Sequence, residues 1–290
     1  PILSYRIFEK SAIKKNALTV CFARAIITAG GMIMRLGVCT KFENLDLAAK
    51  AGFDYAECNL SALAALDEEA MRALIACDFP SPVLRANGMV PGEVKICGPD
   101  AAETRWREYL TRAFSRAHAL GVEIAVFGSG AARMVPNGFP FAEAWRQIIQ
   151  FLRVAAEIGE SYAMRIAIEP LRREECNIVN LVSEGTLLSA IVDSPRVGVL
   201  GDTFHMLSTH EPYEALENAG EKLLHVHISR PLKNLVGREY PYPNDGADYE
   251  SLFAALKQMQ YAGTVSIEAG TRDFAYDAPR AVERLKPLMG

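Results

Sequence analysis

The chain has 290 residues, of which 50% are apolar and 23% are charged, with a formal net charge of −4 and a pI near 5.8. This composition is typical of a globular protein with a well-buried core, and no run of about 18 uncharged apolar residues is present to span a membrane. Because an acidic chain lacks the overall attraction that draws basic proteins to nucleic acids and anionic membranes, we expect neither partner.

Residues 1–33 differ from the rest of the chain in charge and in pattern. They carry five basic residues against one acid, whereas acids outnumber basic residues in 34–290. The segment has a faint similarity to a signal or transit peptide, but Arg24 interrupts its apolar part. We predict an N-terminal extension at 1–33 that is not part of the barrel, followed by a single domain at 34–290.

Eight strand–turn–helix units follow one another from Met34. The predicted strands read RLGVCT, FDYAECN, PVLRANG, EIAVFGS, AMRIAIEP, VGVLGDTFHM, LLHVHIS and GTVSIEAG, and helical patterns follow each of them, often ending at glycine. Such a series predicts an α/β fold of the parallel (β/α)8 TIM barrel type. An open doubly wound sheet would normally have a Gly-rich phosphate turn after its first strand, and TKFEN has none.

The last four strands each end on a residue type that binds metals. Branched apolar residues such as Ile166 and Ile168 occupy one parity of these strands, so the other parity should face the barrel axis. The rim should therefore gather four side chains: Glu169, Asp202, His227 and Glu268. Three carboxylates and one imidazole suit a divalent cation such as Mn²⁺, Mg²⁺, Co²⁺ or Zn²⁺.

Other polar residues lie near this rim in the sequence. His205, three residues after the aspartate, is placed to donate a hydrogen bond to a substrate oxygen, whereas His225 fits a core or supporting role. Glu175 could hydrogen-bond to His205 or to substrate, or could form a surface salt bridge. Arg133, in a Gly-rich loop after the fourth strand, could bind an anionic or polyhydroxy substrate or could be part of the loop structure.

With these residues the chain resembles the sugar phosphate isomerase/epimerase family, the xylose isomerase-like TIM barrels, and is similar to ketose 3-epimerases. The resemblance covers about 34–290 and is carried by IEP with the later Glu175 and Asn180, by GDTFHM, by the HVH strand and by SIEAG. It implies a metal-dependent isomerase with a small carbohydrate substrate and a possible homodimer or homotetramer.

The resemblance also implies roles for individual residues. Those matching Glu169, Asp202, His227 and Glu268 hold one divalent metal, commonly Mn²⁺, and the two glutamates act as acid and base. The residue matching His205 contacts substrate, and the residue matching Glu175 belongs to the site. Epimerases of free ketoses often have an arginine six residues after the metal-binding histidine, but this chain has Lys233 there, with Arg230 and Arg238 nearby. Arg230 and Lys233 are therefore candidate substrate contacts, and the departure puts the substrate in doubt more than the reaction class.

Three reactions remain open for such a site. Proton return to the other face of the same carbon gives epimerisation, return to the adjacent carbon gives aldose–ketose isomerisation, and loss of hydroxide gives dehydration, as in inosose dehydratases. A non-catalytic sugar-binding barrel is a further alternative. An AP endonuclease is disfavoured, because its extra histidines after strands two and three are missing and NDGADY stands where a D-x-H motif would follow strand seven.

The six cysteines are scattered along the chain and none forms a C-x-x-C pair. Their spacing indicates neither a zinc module nor a disulfide framework. Reduced and mostly buried cysteines are typical of cytosolic proteins, so we predict a cytoplasmic location.

Overall fold

The structure of the protein is a computed structural model, and it describes residues 33–290. The extension predicted at 1–33 thus lies outside the described residues, apart from Ile33 at its boundary. Within 33–290, no helix combines the length and the apolar character needed to cross a membrane.

Eight parallel strands close into one barrel in the order in which they occur in the chain. They are β1 Arg35–Cys39, β2 Tyr55–Asn59, β3 Val83–Asn87, β4 Ile124–Phe127, β5 Arg165–Ile168, β6 Val197–Asp202, β7 Leu223–Ile228 and β8 Thr264–Ile267. Pairing of Leu36 in β1 with Val265 in β8 closes the ring. The predicted (β/α)8 TIM barrel is therefore confirmed.

Helices connect and surround the strands. The α-helices of the described part are Leu45–Ala51, Leu60–Ala65, Glu68–Ala76, Glu103–Ala119, Gly130–Arg133, Phe141–Ser161, Val182–Val192, Thr203–Ser208, Glu214–Ala219, Glu250–Gln258 and Phe274–Met289. Two helices follow β2 where the sequence pattern predicted one, because Asn59 and Asp67 each cap a helix by accepting a backbone N–H. The final helix begins at Phe274, because the Asp273 side chain caps it by accepting the Tyr276 N–H.

The barrel interior changes from apolar to polar along its axis. One small buried cluster fills the inside of the barrel with Ile124, Val126, Ala167, Leu200 and Leu224. Buried polar side chains, among them Glu57, His225 and His227, occupy the barrel on the way to the carboxyl ends of the strands. The apolar residues of the other parity, such as Ile166 and Ile168, belong to the large cluster that includes helix residues, so the sequence parity correctly separated inside from outside.

A short antiparallel ribbon lies after β7. We use this name for residues 230–239, in which Arg230–Pro231 pairs with Arg238–Glu239. Glu239 also bridges to Gly270 after β8, and the Arg172 side chain after β5 donates to the Leu235 carbonyl at 2.8 Å. These contacts attach the ribbon to the loops that follow β5 and β8, at the carboxyl end of the barrel.

Candidate metal centre

The four residues predicted at the rim meet in the structure. Asp202 is the last residue of β6, His227 lies in β7, and Glu169 and Glu268 directly follow β5 and β8. Each offers one ligand atom, and these atoms all lie within 4.8 Å of one another. His227 Nδ1 is 3.2 Å from Glu169 Oε1 and 3.0 Å from Glu268 Oε2. A set of three carboxylate oxygens and one imidazole nitrogen fits a divalent cation.

Backbone contacts fix where these carboxylates point. The N–H of Glu169 donates to the Phe127 carbonyl and that of Glu268 to the Ile228 carbonyl, each at 3.1 Å, which extends the parallel ladder by one residue. Asp202 caps the helix Thr203–Ser208, because its Oδ1 accepts the Phe204 N–H at 2.8 Å. Only Oδ2 of Asp202 is then free to face the centre.

Glycine at position 128 makes room for one of these groups. A Cβ added to Gly128, which follows β4, would lie 2.2 Å from Glu169 Oε2, closer than two atoms can approach. The backbone there does not need glycine for its conformation, since its φ is not in the left-handed region. The missing side chain is therefore explained by the Glu169 carboxylate.

Glu57 on β2 supports the histidine from the side opposite the other three carboxylates, and its role was not predicted from the sequence. Its fully buried carboxylate accepts from His227 Nε2 at 3.0 Å and from His225 Nε2 at 2.9 Å. Carboxylates in this position fix the orientation of a metal-binding imidazole and raise its basicity. Cys39 of β1 lies on the same side, within 4.8 Å of the Glu57 and His227 donor atoms. The signal was present in FDYAECN, where Tyr55, Glu57 and Asn59 alternate on one parity.

The buried ionisable side chains of the centre shift one another's pKa values. Burial alone would lower the pKa of His227, but Glu57 and Glu268 raise it well above the usual value. Burial and the charge of Glu268 raise the pKa of Glu169. Burial also opposes ionisation of Asp202 and Glu268, yet nearby cationic groups hold the pKa of Asp202 at about 2 and lower that of Glu268. The two glutamates are thus driven in opposite directions, as in many acid–base pairs.

His205 is buried beside the centre. Its Nδ1 accepts the backbone N–H of Arg172 at 3.3 Å, so in the neutral ring the hydrogen is on Nε2. That Nε2 is 3.6 Å from Asp202 Oδ2, and it has no hydrogen-bond partner. A buried donor without a partner is costly unless a ligand supplies the acceptor.

The structure places Glu175 and Arg133 away from the centre. The exposed Glu175 accepts from the Arg172 side chain at 2.7 Å, which is the surface ion pair and not a bond to His205. Arg133 is fully buried, because its loop forms the short helix Gly130–Arg133 and turns the side chain inward. Its guanidinium donates to the carbonyls of Phe127 at 2.8 Å and Glu169 at 2.7 Å. Of the two alternatives for Arg133, these contacts favour a part in the loop structure over a substrate clamp.

The ribbon supplies a different arginine from those expected. Lys233 is exposed, and Arg230 is engaged with Glu239 and lies over the Tyr242 ring. Arg238 instead reaches the centre, with Nη1 2.5 Å from Asp202 Oδ2 and Nη2 2.9 Å from Glu268 Oε2. Sequence reasoning noted Arg238 only as a neighbour, because its position depends on how the ribbon folds.

A cavity of about 520 Å³ opens beside the centre at the ends of the first three strands. Its lining joins Cys39 and Glu57 to amide and cationic side chains from the strand ends and the surrounding loops: Asn44, Asn59, Asn87, Lys41 and Arg272. Amides both donate and accept hydrogen bonds, so this lining suits a hydroxyl-rich molecule.

Comparison with known proteins places this architecture in one family. The family model described as Xylose isomerase-like TIM barrel matches residues 45–288. The chain is 25% identical to the D-psicose 3-epimerase of Ruminiclostridium cellulolyticum over 236 residues, which cover 79% of this chain and 78% of that protein. It is 30% identical to the L-ribulose 3-epimerase of Methylomonas sp. over 115 residues, but that match covers only 39% of this chain and 38% of that protein.

Solved structures show the same fold. The crystal structure of a D-psicose 3-epimerase in the presence of D-fructose matches with a TM-score of 0.75 at 20% identity, covering 86% of this chain and 97% of that one. The match of the family model includes all of the strands that carry the rim residues. The chain therefore belongs to the xylose isomerase-like TIM barrel family.

Proposed function

We propose that this protein is a divalent-metal-dependent isomerase or epimerase of a ketose or a related polyhydroxy carbonyl compound. The observation that carries the proposal is the convergence of four donor atoms within 4.8 Å, two of them from glutamates that can also transfer protons. The 3-epimerase activities named for the relatives support the same reaction class.

The metal is proposed to be held by Glu169, Asp202, His227 and Glu268. Mn²⁺ is the expected ion, with Mg²⁺, Co²⁺ or Zn²⁺ as alternatives, because the donors are mostly hard oxygens with one borderline nitrogen. When bound, a divalent ion would acidify the C–H beside the substrate carbonyl and stabilise the enediolate. The buried Glu57 keeps His227 oriented with Nδ1 towards the carboxylates.

The protein's own groups then move the proton. Glu169 and Glu268 reach the centre from different strands, so one can take a proton from one face of a flat substrate as the base while the other returns a proton to the opposite face as the acid. In the metal-free protein, burial and the charge of Glu268 raise the pKa of Glu169, whereas His227 and Arg238 lower that of Glu268 against the effect of burial. His205 donates its free Nε2–H to a substrate oxygen, which satisfies an otherwise unpartnered donor.

A proton-exchange screen tests the function without knowledge of the natural substrate. Ketoses, keto-acids and inososes are incubated with Mn²⁺-loaded protein in D₂O, and ¹H NMR follows the loss of C–H signals. Exchange needs only proton abstraction, so it reports activity even where net conversion is small. Loss of signal next to a carbonyl is expected for at least one ketose, and no exchange in any compound would contradict the proposal.

Three substitutions separate metal binding from proton transfer. Asp202→Ala should lose metal, as measured by elemental analysis, and equal metal content would refute the assigned ligands. Glu169→Gln and Glu268→Gln keep a ligand oxygen, so part of the metal should remain while exchange falls by about 10²–10⁴-fold. Glu108→Gln, an exposed carboxyl on the helix Glu103–Ala119, is the matched control and should behave as wild type. A glutamine variant that keeps both metal and near-normal exchange would show that its glutamate is only a ligand.

A further inference from the structure

Oδ2 of Asp202, the carboxylate oxygen that does not cap a helix, is already paired with a positively charged side chain of the protein. Oδ1 is used to cap the following helix, so Oδ2 is the oxygen that a metal would need. Arg238 Nη1 lies 2.5 Å from that same Oδ2, and its Nη2 lies 2.9 Å from Glu268 Oε2. A divalent ion binds carboxylate oxygens at about 2.0–2.6 Å, so the guanidinium and the ion compete for one place.

Arg238 also has free space beside it into which its side chain can move. It lines a cavity of about 640 Å³ with Tyr240 and Tyr242, and its guanidinium carbon already lies 5.2 Å from the centre of the Phe204 ring while it pairs with the carboxylates. Stacking on an aromatic face can hold an arginine at a wet rim. The side chain can therefore leave the carboxylates and stay at the mouth of the barrel.

No other described cation of the ribbon is placed for this task. Lys233 is exposed, and Arg230 is engaged with Glu239 and the Tyr242 ring. Arg172 is near, but it donates to the Leu235 carbonyl and to Glu175. Arg238 is the ribbon side chain in contact with two of the proposed ligands.

We propose that Arg238 is the counter-cation of Asp202 and Glu268 while the metal is absent, and that on metal binding it moves aside to bind oxygen atoms of the substrate. The second half rests on the proposed function. A guanidinium presents several N–H donors in a plane, which suits adjacent hydroxyl or carbonyl oxygens that gain negative charge.

The test compares metal-stripped proteins by calorimetric titration with Mn²⁺. Arg238→Met should bind Mn²⁺ about tenfold more tightly than wild type, because the competing cation is gone. Its melting temperature in EDTA should fall, since Asp202 and Glu268 lose a neutralising charge, and Mn²⁺ should remove most of that difference. Arg284→Met deletes a two-pronged pair with Glu250 outside the mouth and is the matched control, with unchanged Mn²⁺ affinity.

Equal or weaker Mn²⁺ binding by Arg238→Met would overturn the counter-cation role. If that variant does not fold, Arg238→Lys keeps the charge with poorer geometry, and a dissociation constant at or above that of wild type would likewise overturn it. With a substrate found by proton exchange and with saturating Mn²⁺, Arg238→Met should raise KM at least about tenfold, and an unchanged KM would overturn the substrate role. Wild-type protein that binds no Mn²⁺ at all would instead refute the metal centre on which the proposed function depends.

Discussion

Replacement of Glu57 by glutamine tests whether the buried carboxylate that accepts from His227 affects the affinity of the centre for metal. The carboxylate is completely buried and accepts from two imidazoles, at 3.0 Å from His227 and 2.9 Å from His225. Glutamine has nearly the same shape, but it is neutral and has only one oxygen. Its NH₂ group must face one of the two imidazoles, which then loses its acceptor.

The size of the effect follows from these two bonds. A hydrogen bond to a charged group contributes roughly 1.5–3 kcal/mol, so the metal-free variant should melt roughly 3–12 °C lower than wild type. Glu57 attracts both the proton that His227 holds without metal and the divalent ion that replaces it. The ion has the larger charge, so loss of Glu57 weakens the loaded state more. We expect Mn²⁺ affinity to fall about 10–100-fold.

Calorimetric titration of metal-stripped protein and thermal melts in EDTA measure the two effects separately. Glu108→Gln is the control for loss of one carboxylate from an exposed position. A Glu57→Gln variant with the wild-type Mn²⁺ dissociation constant would refute the reasoning. A lowered melting temperature alone would show that Glu57 stabilises the barrel without acting on the metal.

Three further predictions concern the same centre and the domain boundary. Burial would lower the pKa of His227, yet Glu57 and Glu268 raise it well above the usual value. We therefore expect His227 to keep its proton at pH 7 without metal. Binding of Mn²⁺ should then release about one proton. Calorimetric titrations at pH 7 in buffers of different ionisation enthalpy measure this proton release. The affinity for Mn²⁺ should also rise with pH. Zero proton release would contradict the assignment of His227 as a ligand. Gly128→Ala should displace the Glu169 carboxylate and weaken Mn²⁺ binding about tenfold, with a nearly unchanged melting point in EDTA; unaltered affinity would show that the carboxylate tolerates the methyl group. A chain shortened to begin at Met34 should melt within a few degrees of the full chain, since all eight strands lie after it, and a collapse of stability would contradict the predicted boundary.

The sequence predicted the barrel and its rim because both depend on short-range regularities. Alternation with period two separates the two faces of a strand, and four strands in a row end on ligand-type residues at the same phase. Parallel strands in a closed barrel bring those ends together whatever the loops do. That is why Glu169, Asp202, His227 and Glu268 were found and why they meet in the structure.

Residues whose position depends on loops or on a second strand were harder to predict. The sequence left open whether Arg133 binds substrate or belongs to the loop structure, and in the structure a single helical turn directs its guanidinium to buried carbonyls. Arg238 reaches the centre only because the ribbon pairs with itself and with Gly270. Glu57 lies on a strand with visible alternation, yet its meaning depends on two histidines about 170 positions away. The local sequence pattern therefore predicts which face of a strand each residue occupies, but not which residue it contacts in the fold.

The charge balance of the centre connects these findings. Glu57, Glu169, Asp202 and Glu268 bring four carboxylates into one largely buried place, and burying unpaired charges costs too much for such a site to remain uncompensated. The protein supplies cations for this purpose, a proton on His227 and the guanidinium of Arg238. Under the proposed roles, metal loading would be an exchange, in which a divalent ion replaces one proton and displaces one arginine. Such an exchange would keep the net charge of the centre nearly constant, so the barrel could fold before the metal arrives, and it would free a guanidinium at the moment when the site becomes able to bind substrate.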